Sequence, residues 1–210
     1  MDAVSDAIGD EFIDRLRNQI DKKAIAALGQ RKAIKYADVD HWLNEMWGDA
    51  KGIDLHRSLP LRILDIGTGP GYFPYICKAL GHDCIGLDRP GLWIYRELRK
   101  VVGTEAVPHH ILPQVSLPEF PHRFDLVTTF RAPFNTVEKE QRLFNVDDWN
   151  YFLDDLRDNV LVPNGSFHMR MNIDWQFPGL TLETSELRDL FISRGAELRA
   201  PRTVHFESIA

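Results

Sequence analysis

Several features are scarce in this chain of 210 residues, and each scarcity narrows what it does. Two cysteines, Cys77 and Cys84, are too few for a disulfide framework, and no Cys/His cluster has zinc-ligand spacing, so no metal is expected. No run approaches the roughly 18 apolar residues of a membrane helix, and the mean hydropathy of −0.27 agrees with a protein that makes no use of the membrane. The opening residues, Met1-Asp2-Ala3-Val4-Ser5-Asp6, lack the basic and then apolar pattern of a signal peptide. A surplus of positive charge is also missing: 25 Lys and Arg face 31 Asp and Glu, a net charge of −6. Nucleic-acid binders use such a surplus to displace counterions from phosphates, so nucleic acid is disfavoured as a partner. There is no repeat, low-complexity tract or long linker. The expectation is a soluble, cytoplasmic protein.

With 44% hydrophobic and 27% charged residues, the chain carries enough apolar side chain for a real core. Its length suits one domain with an appended lid. From Glu11 to Leu28, residues Phe12, Ile13, Leu16, Ile20, Ala24 and Leu28 form one helical stripe, with Gly29 as the stop. A second helix is predicted from Val39 to Trp47, capped by Asp38 or Asp40, with Leu43 and Trp47 four apart and Trp42 and Met46 likewise.

From Leu61 onward, short apolar runs alternate with helical stretches. Strands are predicted at 61–66, 82–87, 105–112, 124–130 and 166–171. Helices are predicted at 72–80 and 92–101, then one capped by Asp147 or Asp148 and one capped by Thr184 or Ser185. Ala196 to Arg199 and Thr203 to Glu207 read as a closing hairpin. The expected fold is α/β: a Rossmann-like, open, mostly parallel seven-stranded sheet with helices on both faces, an antiparallel C-terminal hairpin and N-terminal helices. Residues 1–58 would form the helical segment or lid, and residues 59–210 the ligand-binding domain. Ligands of such sheets bind outside the carboxyl ends of the strands.

At the end of the first strand stands Asp65-Ile66-Gly67-Thr68-Gly69-Pro70-Gly71-Tyr72. Glycines at alternate positions let the backbone turn tightly and approach a ligand. A dinucleotide fingerprint needs its third glycine at position 72, which is tyrosine, and Asp65 would repel a pyrophosphate. Near a cation bearing an amino group the same carboxylate is favourable. Asp88, ending Ile85-Gly86-Leu87-Asp88, can accept hydrogen bonds from both hydroxyls of a ribose. One feature suits an amino-acid head and the other a nucleoside.

This combination resembles the class I S-adenosylmethionine-dependent methyltransferases over roughly Leu61 to Glu207. Phe124-Asp125-Leu126-Val127 is similar to the start of the family's fourth strand. Leu161-Val162-Pro163-Asn164-Gly165 is similar to its L-x-P-G-G turn, with Asn164 in place of a glycine. The resemblance implies S-adenosyl-L-methionine as cofactor. Asp65, Gly67, Thr68 and Gly69 would surround its methionyl part, and Gly71 would permit close helix packing. Asp88 would hold the ribose and Arg89 the adenine edge, with Ile111 and Leu112 near the adenine. Phe130 and Arg131 would face the methyl group and the substrate.

Other residues carry two readings each. His109 and His110 are adjacent on a predicted strand, so at most one would point into a cleft. Arg131-Ala132-Pro133-Phe134 occupies the place of the N-P-P-Y/F motif of amino-group methyltransferases. An arginine there only donates, which suits an anionic or oxygen-rich substrate, unless it is paired with an acid at the cleft rim. Asn135 offers a polar group in the same loop. Trp42, Met46 and Trp47 either line a substrate pocket beneath a lid or belong to the core. Asp147-Asp148 and Asp154-Asp155 read as capping and solvated face rather than a metal site. The expected function is methyl transfer to a small-molecule acceptor, at oxygen first and nitrogen second. The alternative is a cofactor-binding regulatory or scaffolding protein without transferase activity. A nicotinamide-dependent reductase is disfavoured by Tyr72 and Asp65.

Overall fold

The computed structural model describes residues 9–19, 31–91, 93–172, 178–199 and 202–210. The main sheet begins with β1 (Arg62–Ile66), a run in which Ile63 points to one face and Leu64 and Ile66 to the other. Burial on both faces is what a near-continuous apolar run implies in a parallel sheet. β2 (Asp83–Asp88), β3 (Ala106–Pro108), β4 (Phe124–Phe130), β7 (Leu161–Arg170), β8 (Ala196–Arg199) and β9 (Thr203–Phe206) complete it in the order β3-β2-β1-β4-β7-β9-β8. Pairing is parallel from β3 across to β7, and β9 lies antiparallel between β7 and β8. The chain runs outward from β1 to β3 and then returns to β4 on the other side of β1. That reversal leaves a crevice at the carboxyl ends of β1 and β4.

Two apolar clusters sandwich the sheet. One contains α1 (Asp10–Gln19), α2 (Val39–Gly52), α3 (Tyr72–Ala79) and α4 (Trp93–Val102), packed on Ile63, Cys84 and Leu126. The other contains α5 (Val146–Asp155) and α6 (Ser185–Ser193), packed on Leu64, Val127, Phe167 and Phe206. No helix among the described residues is long and apolar enough to cross a membrane.

The predicted strand at 124–130 is observed with those bounds, and the closing hairpin is antiparallel as expected. Other elements differ for physical reasons. The N-terminal helix is described only to Gln19, so Ile20, Ala24, Leu28 and Gly29 of the predicted stripe lie outside the described residues, as does Leu92. Asp38 caps α2 by accepting from the His41 N–H at 3.3 Å, and the helix continues five residues past Trp47 because Asp49 and Ala50 are buried. β3 ends at Pro108, with His109 N donating the last bond to Asp88 O at 2.9 Å. The cap of α5 is Asn145, not Asp147 or Asp148: Asn145 Oδ1 accepts from Asp148 N at 2.9 Å, and Asp148 Oδ2 accepts from Asn145 N at 3.1 Å. β7 begins at Leu161 rather than Ser166, because the Val162–Gly165 turn is absorbed as an irregularity in its pairing with β4. Asn164 takes φ +62° there, a backbone region that asparagine tolerates. A short hairpin, β5 (Thr136–Val137) with β6 (Arg142–Leu143), was not anticipated.

Trp149 on α5 is fully buried and meets Phe134, Phe144, Phe152 and Phe191 edge-on, with ring centroids 5.1–5.9 Å apart. Trp149→Ala is expected to cost about 3–5 kcal/mol, read as a fall in urea midpoint. Tyr151→Ala, on the solvent side of the same helix, is expected to stay within about 0.5 kcal/mol of the parent.

Candidate functional site

The crevice opens into a cavity of about 510 Å³, within the range of small-molecule sites. Its floor is the turn after β1. The N–H groups of Gly67 and Thr68 both donate to Leu87 O, at 2.7 and 3.3 Å, which ties the turn to the end of β2. Gly67, Gly69 and Gly71 all have positive φ, of +72°, +54° and +88°. Their surroundings separate them. A Cβ at Gly67 would lie 2.2 Å from Ala132 Cβ, and one at Gly71 would lie 2.1 Å from Thr104 Oγ1. A Cβ at Gly69 would meet nothing closer than Tyr95 Cε2 at 3.9 Å. Gly69 therefore presents bare backbone to the cavity, while Gly71 lies behind it and lets α3 pack against Thr104 and Arg99.

Asp65 lines the cavity although it is only 3% exposed. It pairs in register with Gly86 of β2 and Thr128 of β4, and Thr128 Oγ1 donates to its Oδ1 at 2.9 Å. Gly86 has no side chain because Thr68 fills that space. Burial pushes the Asp65 carboxyl up from 3.8 to about 7, against the hydroxyls of Thr68 and Thr128.

Asp88 sits where β2 ends. Its Oδ1 accepts from the Arg89 N–H at 3.0 Å, and its Oδ2 accepts from Arg99 Nη1 at 3.0 Å. Burial raises the Asp88 carboxyl, and the attraction of Arg99 opposes the rise. Arg99 Nη1 also donates to Gly69 O at 2.5 Å, so one guanidinium joins the glycine turn to the acid. Sequence reasoning missed Arg99. Its signal was the spacing of Tyr95 and Arg99, four apart on the helix that follows Asp88.

The far wall is aromatic. Trp42 stacks on Tyr36 at 5.1 Å, and Tyr36 meets Tyr95 edge-on at 5.1 Å. Trp42 Nε1 donates to Lys35 O at 2.8 Å and Tyr72 Oη donates to Tyr36 O at 2.8 Å, which fixes this strap over the cavity. Trp42 and Met46 line the cavity, whereas Trp47 is buried in the core beside His56. The two readings of the tryptophans thus divide between them.

Of the other predicted residues, Arg89, Ile111, Phe130 and Arg131 line the cavity, and Leu112 and Asn135 do not. Leu112 is exposed, and Asn135 is buried, its carbonyl accepting from Phe144 N at 2.8 Å. His109 and His110 both line the cavity, because β3 ends before them and strand alternation no longer applies. Burial lowers the His109 pKa. Arg89 is ion-paired with Glu138, which stands beside the β5–β6 hairpin at the mouth. Arg131, in the left-handed region at φ +58°, turns back to α2 and forms a forked pair with Asp49. Its guanidinium is matched to an acid at the rim. Three of the four aspartates on α5 have protein partners: Asp148 takes Arg142 at 2.5 Å, Asp155 accepts from Leu117 N at 2.8 Å, and Asp154 takes Arg194 at 2.6 Å, while Asp147 is exposed.

No protein-family model matches the chain, and no curated protein is similar in sequence. Solved structures are similar in fold. A TehB-like SAM-dependent methyltransferase from Corynebacterium glutamicum superposes with a TM-score of 0.59 at 16% identity, covering 88% of this chain and 100% of that one. A ribosomal protein L11 methylase from Lactobacillus delbrueckii subsp. bulgaricus gives 0.49 at 15% identity, over 79% of this chain and 76% of that one. An amino pentose methyltransferase from Micromonospora echinaspora gives 0.45 at 20% identity, over 65% of this chain and about half of that one, 52%. With its seven-stranded sheet and inserted antiparallel strand, the chain has the class I S-adenosylmethionine-dependent methyltransferase fold.

Proposed function

We propose that this chain is an enzyme that transfers a methyl group from S-adenosyl-L-methionine to a small-molecule acceptor at oxygen or nitrogen. The observation that carries the reading is the meeting of Asp65, Asp88 and the bare backbone of Gly69 around one cavity at the switch point of the sheet. The donor set fits the cofactor: a buried carboxyl suits an amino group, a strand-end carboxylate suits ribose hydroxyls, and open space at Gly69 admits a chain lying against the turn. When bound, the cofactor supplies a methyl group already activated on a sulfonium. The protein's share is alignment and exclusion of water. In our reading Asp65, Gly67, Thr68 and Gly69 hold the methionyl part, Asp88 the ribose, and Arg89 and Ile111 the adenine. Phe130 and Trp42 flank the methyl end, and residues 35–46 act as the cover. Binding without transfer is the second reading, favoured by the commitment of Arg131 to Asp49. S-adenosylmethionine labelled in its methyl group and incubated with the chain and a cell extract separates the two: methyl transfer moves the label to a second small molecule, resolved from S-adenosylmethionine by chromatography.

Calorimetry with S-adenosylhomocysteine tests the site. Asp88→Ala is expected to weaken binding about tenfold or more, since a charge-assisted hydrogen bond is worth about 1.5–3 kcal/mol. Unchanged affinity in the folded variant would remove Asp88 from the site. Gly69→Val places its side chain where the ligand would lie, and strains a backbone at φ +54°. It is expected to abolish binding while β1 and β4 stay folded by circular dichroism.

The carboxyl of Asp65 gives a pH signature. Its folded value, about 7, lies above the ordinary 3.8, so the stability it contributes is full below pH 4 and declines as pH rises through 7. A cation beside it favours the carboxylate. S-adenosylhomocysteine, whose amino group is the cation, is therefore expected to bind more tightly at pH 7.5 than at pH 5.5, with release of a proton. Asp65→Asn should flatten both trends, in melting temperature and in affinity. A parent-like pH slope in that variant would assign the proton elsewhere.

A further inference from the structure

We propose that Asp49 sets the charge class of the acceptor, by filling with an internal carboxylate the anion site that Arg131 and Arg170 would otherwise form. Arg131 follows β4 and Arg170 ends β7, the neighbouring strand, with Arg131 N donating to Arg170 O at 2.7 Å. Two guanidiniums at adjacent strand ends, one of them lining the cavity, make a fork suited to a carboxylate. That fork is taken. Asp49 Oδ2 accepts from Arg131 Nη2 at 2.5 Å, and its Oδ1 accepts from Arg131 Nη1 at 3.3 Å and Arg170 Nη1 at 2.8 Å. The Asp49 side chain is 5% exposed, and Glu45, one turn earlier on α2, stands 3.6 Å from Arg131.

Two guanidiniums therefore face two carboxylates, and this end of the cavity offers an incoming anion no net attraction. A free carboxylate would also have to displace one tethered to the same chain, whose effective concentration is high. The lining between this pair and the Tyr36 strap includes the apolar side chains of Trp42, Met46, Phe130 and Pro133. The other lining cations lie elsewhere: Arg89 is paired with Glu138, and the Lys35 Nζ lies 4.9 Å over the Tyr36 ring, toward the Gly69 end. The acceptor class that fits is an uncharged, flat, aromatic-sized molecule. An anionic acceptor, the expectation raised by Arg131 in the sequence, is excluded by its partner.

The word acceptor rests on the methyl-transfer reading, whereas the charge preference of the cavity does not. Benzoate and benzyl alcohol are titrated by calorimetry into the chain with and without S-adenosylhomocysteine. The parent is expected to bind benzyl alcohol at least tenfold more tightly than benzoate. Asp49→Asn should gain at least tenfold in benzoate affinity, and Asp49→Glu, which keeps the charge, should behave like the parent. Glu45→Gln alters an exposed side chain and should gain two- to threefold, so it decides the matter if Asp49→Asn does not fold. Benzoate bound by the parent as tightly as benzyl alcohol would overturn the proposal. So would the absence of any benzoate gain in the folded variants. Failure of the parent to bind S-adenosylhomocysteine would instead remove the methyl-transfer reading and leave the benzoate comparison standing.

Discussion

The turn from Gly67 to Gly71 is held from behind at three points. Leu87 O takes the N–H groups of Gly67 and Thr68, Thr68 O takes the N–H of Gly71, and Arg99 grips Gly69 O. Each tie joins β1 to β2 or to the helices that follow them, so the turn, the strand-end acid and the packing of α3 are fixed together. The three glycines do different work within it. Two are required by protein neighbours, Ala132 and Thr104, and would be required with no ligand at all. Only Gly69 combines a left-handed backbone with open space in front of it. The motif is thus two parts packing and one part bare backbone facing the cavity.

The two cavity acids are treated differently by their surroundings. Asp88 has Arg99 and a backbone N–H, a charged and a neutral donor, so its ionised form is answered. Asp65 has the Thr128 hydroxyl and no cation, and is the more deeply buried. A carboxylate held this way is costly until a cation arrives. In the proposed reading that cost makes the site selective. A dianion such as a pyrophosphate would meet two acids and gain nothing from Arg99, which is already engaged. A cationic amino group would answer the Asp65 carboxylate, which has no cation among its described partners.

Sequence periodicity carried the sheet well because its central strands β1 and β4 are buried on both faces and bounded by turn residues. β4 was legible to the residue, and the motif placed Asp65 and Asp88 at neighbouring strand ends. What was illegible depends on partners far along the chain. Asp49 meets Arg131 from 82 positions away and Arg170 from 121, and no local pattern announces either contact. Those contacts also explain why α2 runs past Trp47, where its predicted span ends. His109 and His110 were misjudged for a local reason, since Pro108 ends the strand whose alternation was being applied. The β5–β6 hairpin has two residues per strand, too few for a period to show.

Helix α2 serves both ends of the cavity through one stripe of side chains. Trp42 and Met46, four apart, face the opening, and Asp49 continues the stripe at seven positions from Trp42. Leu43 and Trp47, also four apart, are buried on the core-facing side of the helix. The stripe changes from aromatic to acidic as it passes from the Tyr36 strap to the ends of β4 and β7. A helix tied by stacking at one end and by ion pairs at the other cannot rotate without breaking one of them. The wall that shapes the opening is therefore set by the same contact that neutralises Arg131. In this fold the position of the aromatic wall and the pairing of Arg131 are a single constraint.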